Sequence, residues 1–286
     1  MKPILYLLII FALFLTPALA QNHIPVVATD SKEFVGEYSY SSGFVGAVFK
    51  IIGDGKYEYY TFSDCCDPVW RESGSYTLRD NLLHFQITTK TLNKYNLFDP
   101  KQATEAYQTL YNHKGTELPA RVTQTEYDMQ IVRWGGRIYL LEPDRIPLFT
   151  AAVNFGVEPR QRNINRNFLT RRFFLRRGDA EKTVVGKPML PEPWISYLHD
   201  SPIKVAVSKI EIKDNKKIYT VNKGSDDGIK VKMCLLGENT TLEQRNLVMV
   251  IAVEEGSATL ISLTTYGETT YKLGDTLITK TIKNPQ

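Results

Sequence analysis

The chain is expected to be mainly β, with an antiparallel barrel or sheet carrying one or two short helices in its N-terminal part and a small β-barrel at its C-terminal end. Three observations predict this. The 286 residues include 16 Tyr and 13 Phe among many Val, Ile and Thr, residue types that suit a pleated, half-buried surface. Turn signals recur at short intervals between alternating runs, at Asp54-Gly55, Arg79-Asp80-Asn81, Trp134-Gly135-Gly136 and the stretch Gly224 to Gly228. Pro188, Pro191 and Pro193 then divide a chain too long for one domain of usual size.

The first residues set the compartment. Lys2 precedes an apolar run from Ile4 to Leu15, and Ala18-Leu19-Ala20 follows as a small-residue cleavage site, so residues 1–20 read as a secretory signal peptide. The run falls short of the ~20 residues a spanning helix needs, and no transmembrane segment is expected after cleavage. Gln21 stands where a lipoprotein would have cysteine. A periplasmic or secreted protein is predicted, close to neutral with a formal net charge of +4, and in that compartment no nucleic acid is expected as a partner.

Residues 30–187 form the first predicted domain. Glu33 to Tyr40 and Phe44 to Ile52 read as strands, and Asp54-Gly55 turns the second into Tyr57-Glu-Tyr-Tyr-Thr-Phe62. After the Cys65-Cys66 pair, Glu72 to Leu78 turns into Leu82 to Ile87, where Leu83, Phe85 and Ile87 share one face and His84 takes the other. Asp99 to Tyr111 has a capping residue, a proline at the first helical position and one apolar face, which predicts a helix. Met129 to Arg133 and Arg137 to Glu142 form another hairpin. Asp144 is placed to cap a short helix, Ile146 to Asn154, with Pro147 and Gly156 at its ends. The tripeptide Arg177-Gly178-Asp179 reads as a turn between strands.

Residues 188–199 are a proline-rich linker, into which Trp194 to Leu198 is expected to dock. Residues 200–286 then hold about six predicted strands: Lys204 to Ile212, Ile218 to Asn222, Ile229 to Leu236, Leu247 to Val253, Ala258 to Leu263 and Thr276 to Lys280. In the third, Ile229, Val231, Met233 and Leu235 alternate with Lys230, Lys232 and Cys234.

Two resemblances follow from these residues. Asn222-Lys-Gly-Ser-Asp-Asp-Gly228 before an alternating strand, closed by Leu273-Gly-Asp-Thr-Leu277, resembles the small SH3/OB-like C-terminal barrels of bacterial envelope proteins, the flagellar assembly protein T family and rod-shape-determining protein C among them. Those families have a glycine where this chain has Lys232. The likeness implies a structural or protein-binding module. The meander, with Gly-x-Tyr at Gly36 to Tyr38 and at Gly74 to Tyr76, resembles the up-and-down sheets of lipocalin-like proteins, without their Gly-x-Trp.

Catalytic signatures are not found: the chain has no Gly-x-Ser-x-Gly elbow, His-Glu-x-x-His, phosphate loop or dinucleotide fingerprint. No metal or cofactor is predicted. His23, His84, His113 and His199 lie far apart, and Asp64-Cys-Cys-Asp67 lacks the ligand spacing of a structural zinc site. Three cysteines leave an odd thiol. Cys65 and Cys66 can bridge each other, or one can bridge Cys234, and the expectation is that Cys65 and Cys66 lie in an exposed loop that Cys234 does not reach.

Two kinds of binding residue remain. Arg160, Arg162, Arg166, Arg171, Arg172, Arg176 and Arg177 put a local positive field on one segment, suited to an anionic envelope polymer, a lipid headgroup or an acidic envelope protein, or else paired with the chain's own acids. Tyr57, Tyr59, Tyr60, Phe62 and Trp70 in or beside one hairpin suit a small apolar or aromatic ligand, with core packing as the alternative. The function read from the sequence is a non-enzymatic envelope protein with a binding or scaffolding role. The alternatives are a lipocalin-like carrier and a hydrolase with an unrecognised site, such as His84 with Cys65 or Cys66.

Overall fold

The structure is a computed structural model describing residues 33–41, 45–63, 69–93, 117–119, 125–158, 173–214, 216–240, 246–263 and 271–280. The signal peptide expected at 1–20, the helix expected at 99–111 and the Cys65-Cys66 pair lie outside the described residues. Among those described, no helix is long and apolar enough to cross a membrane.

The first barrel consists of β1 (Gly36–Ser41), β2 (Val45–Ile52), β3 (Lys56–Ser63), β4 (Val69–Arg79), β5 (Leu82–Asn93), β7 (Glu126–Trp134), β8 (Arg137–Leu141) and β9 (Phe173–Arg176). The short β6 (Glu117–Pro119) adds to the far end of β5. Each of the eight strands pairs antiparallel with its neighbours in chain order, β4 pairs with β5, and β9 returns to β1, so the sheet closes as an up-and-down barrel. Its hairpins turn where expected. Asp54, Gly55, Asp80 and Asn81 all have positive φ, the backbone that matches the twist of paired strands.

Alternation explains the interior. Tyr38 and Tyr40 face Phe49 and Ala47, which face Tyr59 and Thr61, and the inner stripe continues through Tyr57, Tyr76, Leu83, Phe85, Met129, Ile131, Leu140 and Phe174. At the end where β1 begins, the barrel is closed. Phe34 is buried there, Tyr38 Oη donates to its carbonyl, and the Arg176 guanidinium pairs with buried Asp179 while donating to Glu33 O. Asp179 also accepts from Ile138 N and pairs with Lys182, so Arg177-Gly178-Asp179 is a barrel-capping turn with Gly178 at φ +84.

β7, β8 and β9 do not alternate cleanly because both of their faces are covered. The outer face carries Val132, Trp134, Tyr139, Leu141, Phe173 and Leu175, which pack on α1 (Ile146–Asn154). That helix is buried nearly all round, as a helix between two layers must be. Asp144 does not cap it. Pro143–Arg145 form a 3-10 turn first, Arg145 takes the cap position without a side-chain bond, and the helix is held by its burial instead.

On the helix's other side lies the second barrel: β10 (Lys204–Lys213), β11 (Lys216–Val221), β12 (Cys234–Gly237), β13 (Leu247–Val253), β14 (Ala258–Ser262) and β15 (Thr276–Ile278), closed in the order β10-β11-β14-β13-β12-β15. The strand expected from Ile229 to Leu236 forms only at Cys234–Gly237. Lys232 has φ +71, which no strand residue adopts, so 229–233 is a turn that buries Ile229 and Met233 and leaves Val231 exposed. Gly224 is fixed by close approach: a Cβ there would lie 2.0 Å from Glu254 O.

β12 is also covered on both sides. Leu235 points into the second barrel, whereas Cys234 and Leu236 join Leu247 in the core around α1. The proline-rich segment is pinned between the barrels. Trp134 Nε1 donates to Gly186 O, Asn154 Nδ2 to Tyr197 O, and Tyr197 Oη to Val231 O.

Candidate functional site

The inner stripe fills the closed end of the first barrel but not the other. Where β8 and β4 meet the opposite rim, a cavity of about 600 Å³ is lined by Phe49, Tyr59, Ile87, Tyr127, Met129 and Phe174, together with Glu72 and Lys90. Asp128, Glu142, Pro143 and Asp144 complete its rim. The rings pack directly on one another. Phe49 lies 4.6 Å from Tyr59 and 4.8 Å from Phe174, edge-on to the latter, and 6.2 Å from Tyr127.

Glu72 is the unusual member, since a carboxylate inside a barrel is costly unless paired. Its side chain is only 7% exposed and faces Lys90, 29% exposed, across the β4–β5 ladder at 3.8 Å. Tyr127 Oη donates to Glu72 Oε1 at 2.7 Å. Lys90 Nζ also lies 5.2 Å over the Trp70 ring. Tyr57 Oη is buried beside Tyr127 and Glu72 without meeting hydrogen-bond geometry. Burial, with the neighbouring Glu72 carboxylate adding to it, pushes the Tyr127 phenol far above its ordinary pKa and keeps it a neutral donor.

A one-residue bulge puts Lys90 inside. Gly74 pairs with Ile87 but Ser73 pairs with Thr89, so Thr88 is extra and the facing of β5 inverts beyond it. Unbroken alternation from Leu83, Phe85 and Ile87 would turn Lys90 to solvent. The bulge in turn requires Gly74, where a Cβ would lie 1.9 Å from Gln86 O. Sequence reading missed Glu72, Lys90 and Tyr127. Glu72 was traceable, as a lone acid at two-residue spacing between Trp70 and Tyr76; the bulge had only the Thr88-Thr89 repeat as a sign.

The structure divides the aromatic candidates by strand parity. Tyr57 and Tyr59 point inward, Tyr59 onto the cavity, and Trp70 lies under Lys90 at its edge. Tyr60 and Phe62 lie on the opposite face of β3. Tyr60 is 37% exposed, and Phe62 packs over Gly46, so neither reaches the cavity. Of the arginines, Arg176 pairs with Asp179, and Arg177 Nη1 lies 3.4 Å from Glu37. Arg160, Arg162, Arg166, Arg171 and Arg172 lie outside the described residues.

Other candidate groups lie away from this cavity. His84 is on the outer face, bonded to Asp128 at 2.8 Å and near Glu126. Cys234 is a free thiol buried in the core between the barrels, and burial pushes its pKa up to about 12. A second cleft of about 700 Å³, between α1 and the second barrel, holds His199, whose pKa burial lowers. Its lysines are engaged, Lys187 with Asp200 and Lys280 with His199 O. No group of His, Cys, Asp or Glu among the described residues could hold a metal ion. No family model matches the chain, nor does any curated protein or solved structure.

Proposed function

We propose that this is an exported, non-enzymatic binding protein whose first barrel carries a small organic ligand, in the manner of lipocalin-like carriers, while the second barrel serves as a scaffold. The observation that carries the reading is the cavity itself. A barrel of eight strands has room to be filled by side chains, as the closed end is, or to hold one small ligand. Here the rim half keeps about 600 Å³ free, within the range of small-molecule sites, and lines it with aromatic rings and one buried polar cluster. The leader at residues 1–20 supplies the exported compartment.

The test is titration of the purified chain with Nile red, a neutral dye that brightens in apolar surroundings. One saturable site per chain is expected, and Ile87→Phe, which places a ring in the free space, should weaken it without lowering the melting temperature by more than a few degrees. Absence of a saturable site, or equal binding by the filled variant, defeats the carrier reading. The protein recovered from its own host should begin at Gln21; a cytoplasmic chain retaining Met1 defeats export.

A further inference from the structure

Resting on that carrier reading, we infer that the ligand is a neutral alcohol, an apolar or aromatic body whose hydroxyl bridges Glu72 and Lys90. The cavity wall leaves two hydrogen-bonding positions open there. Glu72 is buried yet lines the cavity, and Tyr127 Oη donates to one of its oxygens, Oε1. Lys90 Nζ stands 3.8 Å from the other, Oε2, which makes an ion pair but is too long for a hydrogen bond. Tyr57 Oη, beside them, meets neither group in hydrogen-bond geometry. Among the described residues, therefore, Glu72 Oε2 accepts no hydrogen bond and the Lys90 ammonium donates none, its other contact being the face of Trp70.

A donor and an acceptor side by side suit a group that is both. Two hydrogen bonds of about 2.8 Å meeting at a tetrahedral oxygen span about 4.6 Å, so a hydroxyl fits once Lys90 Nζ withdraws by less than about 1 Å, which its flexible stem allows. The hydroxyl oxygen then accepts from Lys90 and its proton is donated to Glu72 Oε2. A charged head is served by only half of the pair. A carboxylate bonds to Lys90 but meets like charge on Glu72, and an ammonium bonds to Glu72 but meets like charge on Lys90. A ligand without a head leaves both groups unpaired, which is how polar sites reject analogues that lack a hydroxyl. Phe49, Ile87, Met129 and Phe174 line the space left for the body. The bulge that turns Lys90 inward thus sets a donor beside an acceptor that Tyr127 already orients.

Calorimetry on the full chain compares phenethyl alcohol, ethylbenzene, phenethylamine and phenylacetate, which share a phenyl body and differ in the head. The alcohol should bind about tenfold tighter than ethylbenzene and than either ion. Glu72→Leu with Lys90→Met replaces the pair by apolar side chains of similar volume; with its fold checked by circular dichroism, it should bind the alcohol no tighter than ethylbenzene. The single variants should redirect the preference, Lys90→Met toward the amine and Glu72→Gln toward phenylacetate, since each leaves one charge without its counter-ion. Ethylbenzene or an ion binding the wild type as tightly as the alcohol overturns the inference, as does Nile red binding with no probe binding, while the carrier reading stands. An alcohol preference that survives in the double variant, or in both single variants, overturns it too, because the hydroxyl is then held elsewhere. A wild type with no saturable Nile red site removes the carrier reading itself.

Discussion

The two barrels are built from the same kinds of residue and have opposite interiors. The second is filled by Val205, Val207, Val221, Leu235, Val248, Val250, Leu260 and Leu277 around Tyr219 and Tyr271, and Tyr271 Oη is satisfied at Gly237 N and Asn246 O. The first contains a carboxylate, an ammonium facing it, an unsatisfied phenol and free space. The buried charged side chains among the described residues, Glu72, Arg137 and Asp179, all belong to the first barrel and its capping turn. Buried charge and empty volume both lower stability relative to packed hydrocarbon. A chain that confines its buried charge to one barrel has separated the part that holds the fold from the part that departs from best packing, and such departures mark function more often than error.

The separation depends on a seam that joins the barrels. Phe149 on α1 is fully buried and meets Trp134 at 6.1 Å, Tyr139 at 5.3 Å and Phe173 at 5.3 Å. Cys234, Leu236 and Leu247 of the second barrel close the same core. Phe149→Ala should therefore cost about 3–5 kcal/mol and produce the largest loss of any change considered. The wild type should melt in one transition by circular dichroism, and the variant either in one at much lower temperature or in two. Two separate transitions in the wild type would mean that the barrels are independent and the seam is incidental.

A matched pair of substitutions sharpens the contrast. Gly74→Ala and Gly224→Ala each force a methyl group to about van der Waals overlap with backbone, 1.9 Å from Gln86 O in the first barrel and 2.0 Å from Glu254 O in the second. Each should destabilise by about 3 kcal/mol. At a temperature where both variants remain folded, Nile red binding should fall in Gly74→Ala alone, because only there does relief of the clash disturb the bulge that turns Lys90 inward. Equal loss in the two would show that binding reports general loosening.

The same bulge explains what could and could not be read from the sequence. Strand periodicity and turn chemistry are local, so the hairpins at Asp54-Gly55, Asp80-Asn81 and Gly135-Gly136, the helix Ile146–Asn154 and the mainly β, two-barrel architecture were all legible. The site was not, because its members come from six strands and one of them reaches the interior only through an extra residue. Parity counted from Tyr57 separates Tyr59 from Tyr60 correctly once the inner face is known, but nothing local says which face that is. β8 and β9 were harder still: covered on both faces, Arg137–Leu141 has no alternation to read.

The smallest effect tests a second place where periodicity misled. From Ile229 to Leu235 the sequence alternates as a strand would, yet Lys232 has φ +71, its N–H donates to Val250 O at 2.7 Å, and Lys230 and Met233 are joined across it as a turn. The two descriptions make opposite predictions for a β-branched residue at 232. In a strand, Lys232→Val would be neutral or favourable, since valine suits pleated backbone. In a left-handed turn it should cost about 1–2 kcal/mol, because the branched Cβ crowds the carbonyl that positive φ brings close. Lys232→Asn separates backbone strain from lost packing. Asparagine tolerates the left-handed region, so this variant forfeits only the contact of Lys232 Nζ with the Trp194 ring at 5.9 Å, about 0.5 kcal/mol at an exposed site. Urea melts should therefore order the three as wild type close to Lys232→Asn, with Lys232→Val clearly below both, and Nile red binding in the first barrel unchanged throughout. A valine variant as stable as wild type would restore the strand and remove the turn that gives the second barrel its closure at this corner.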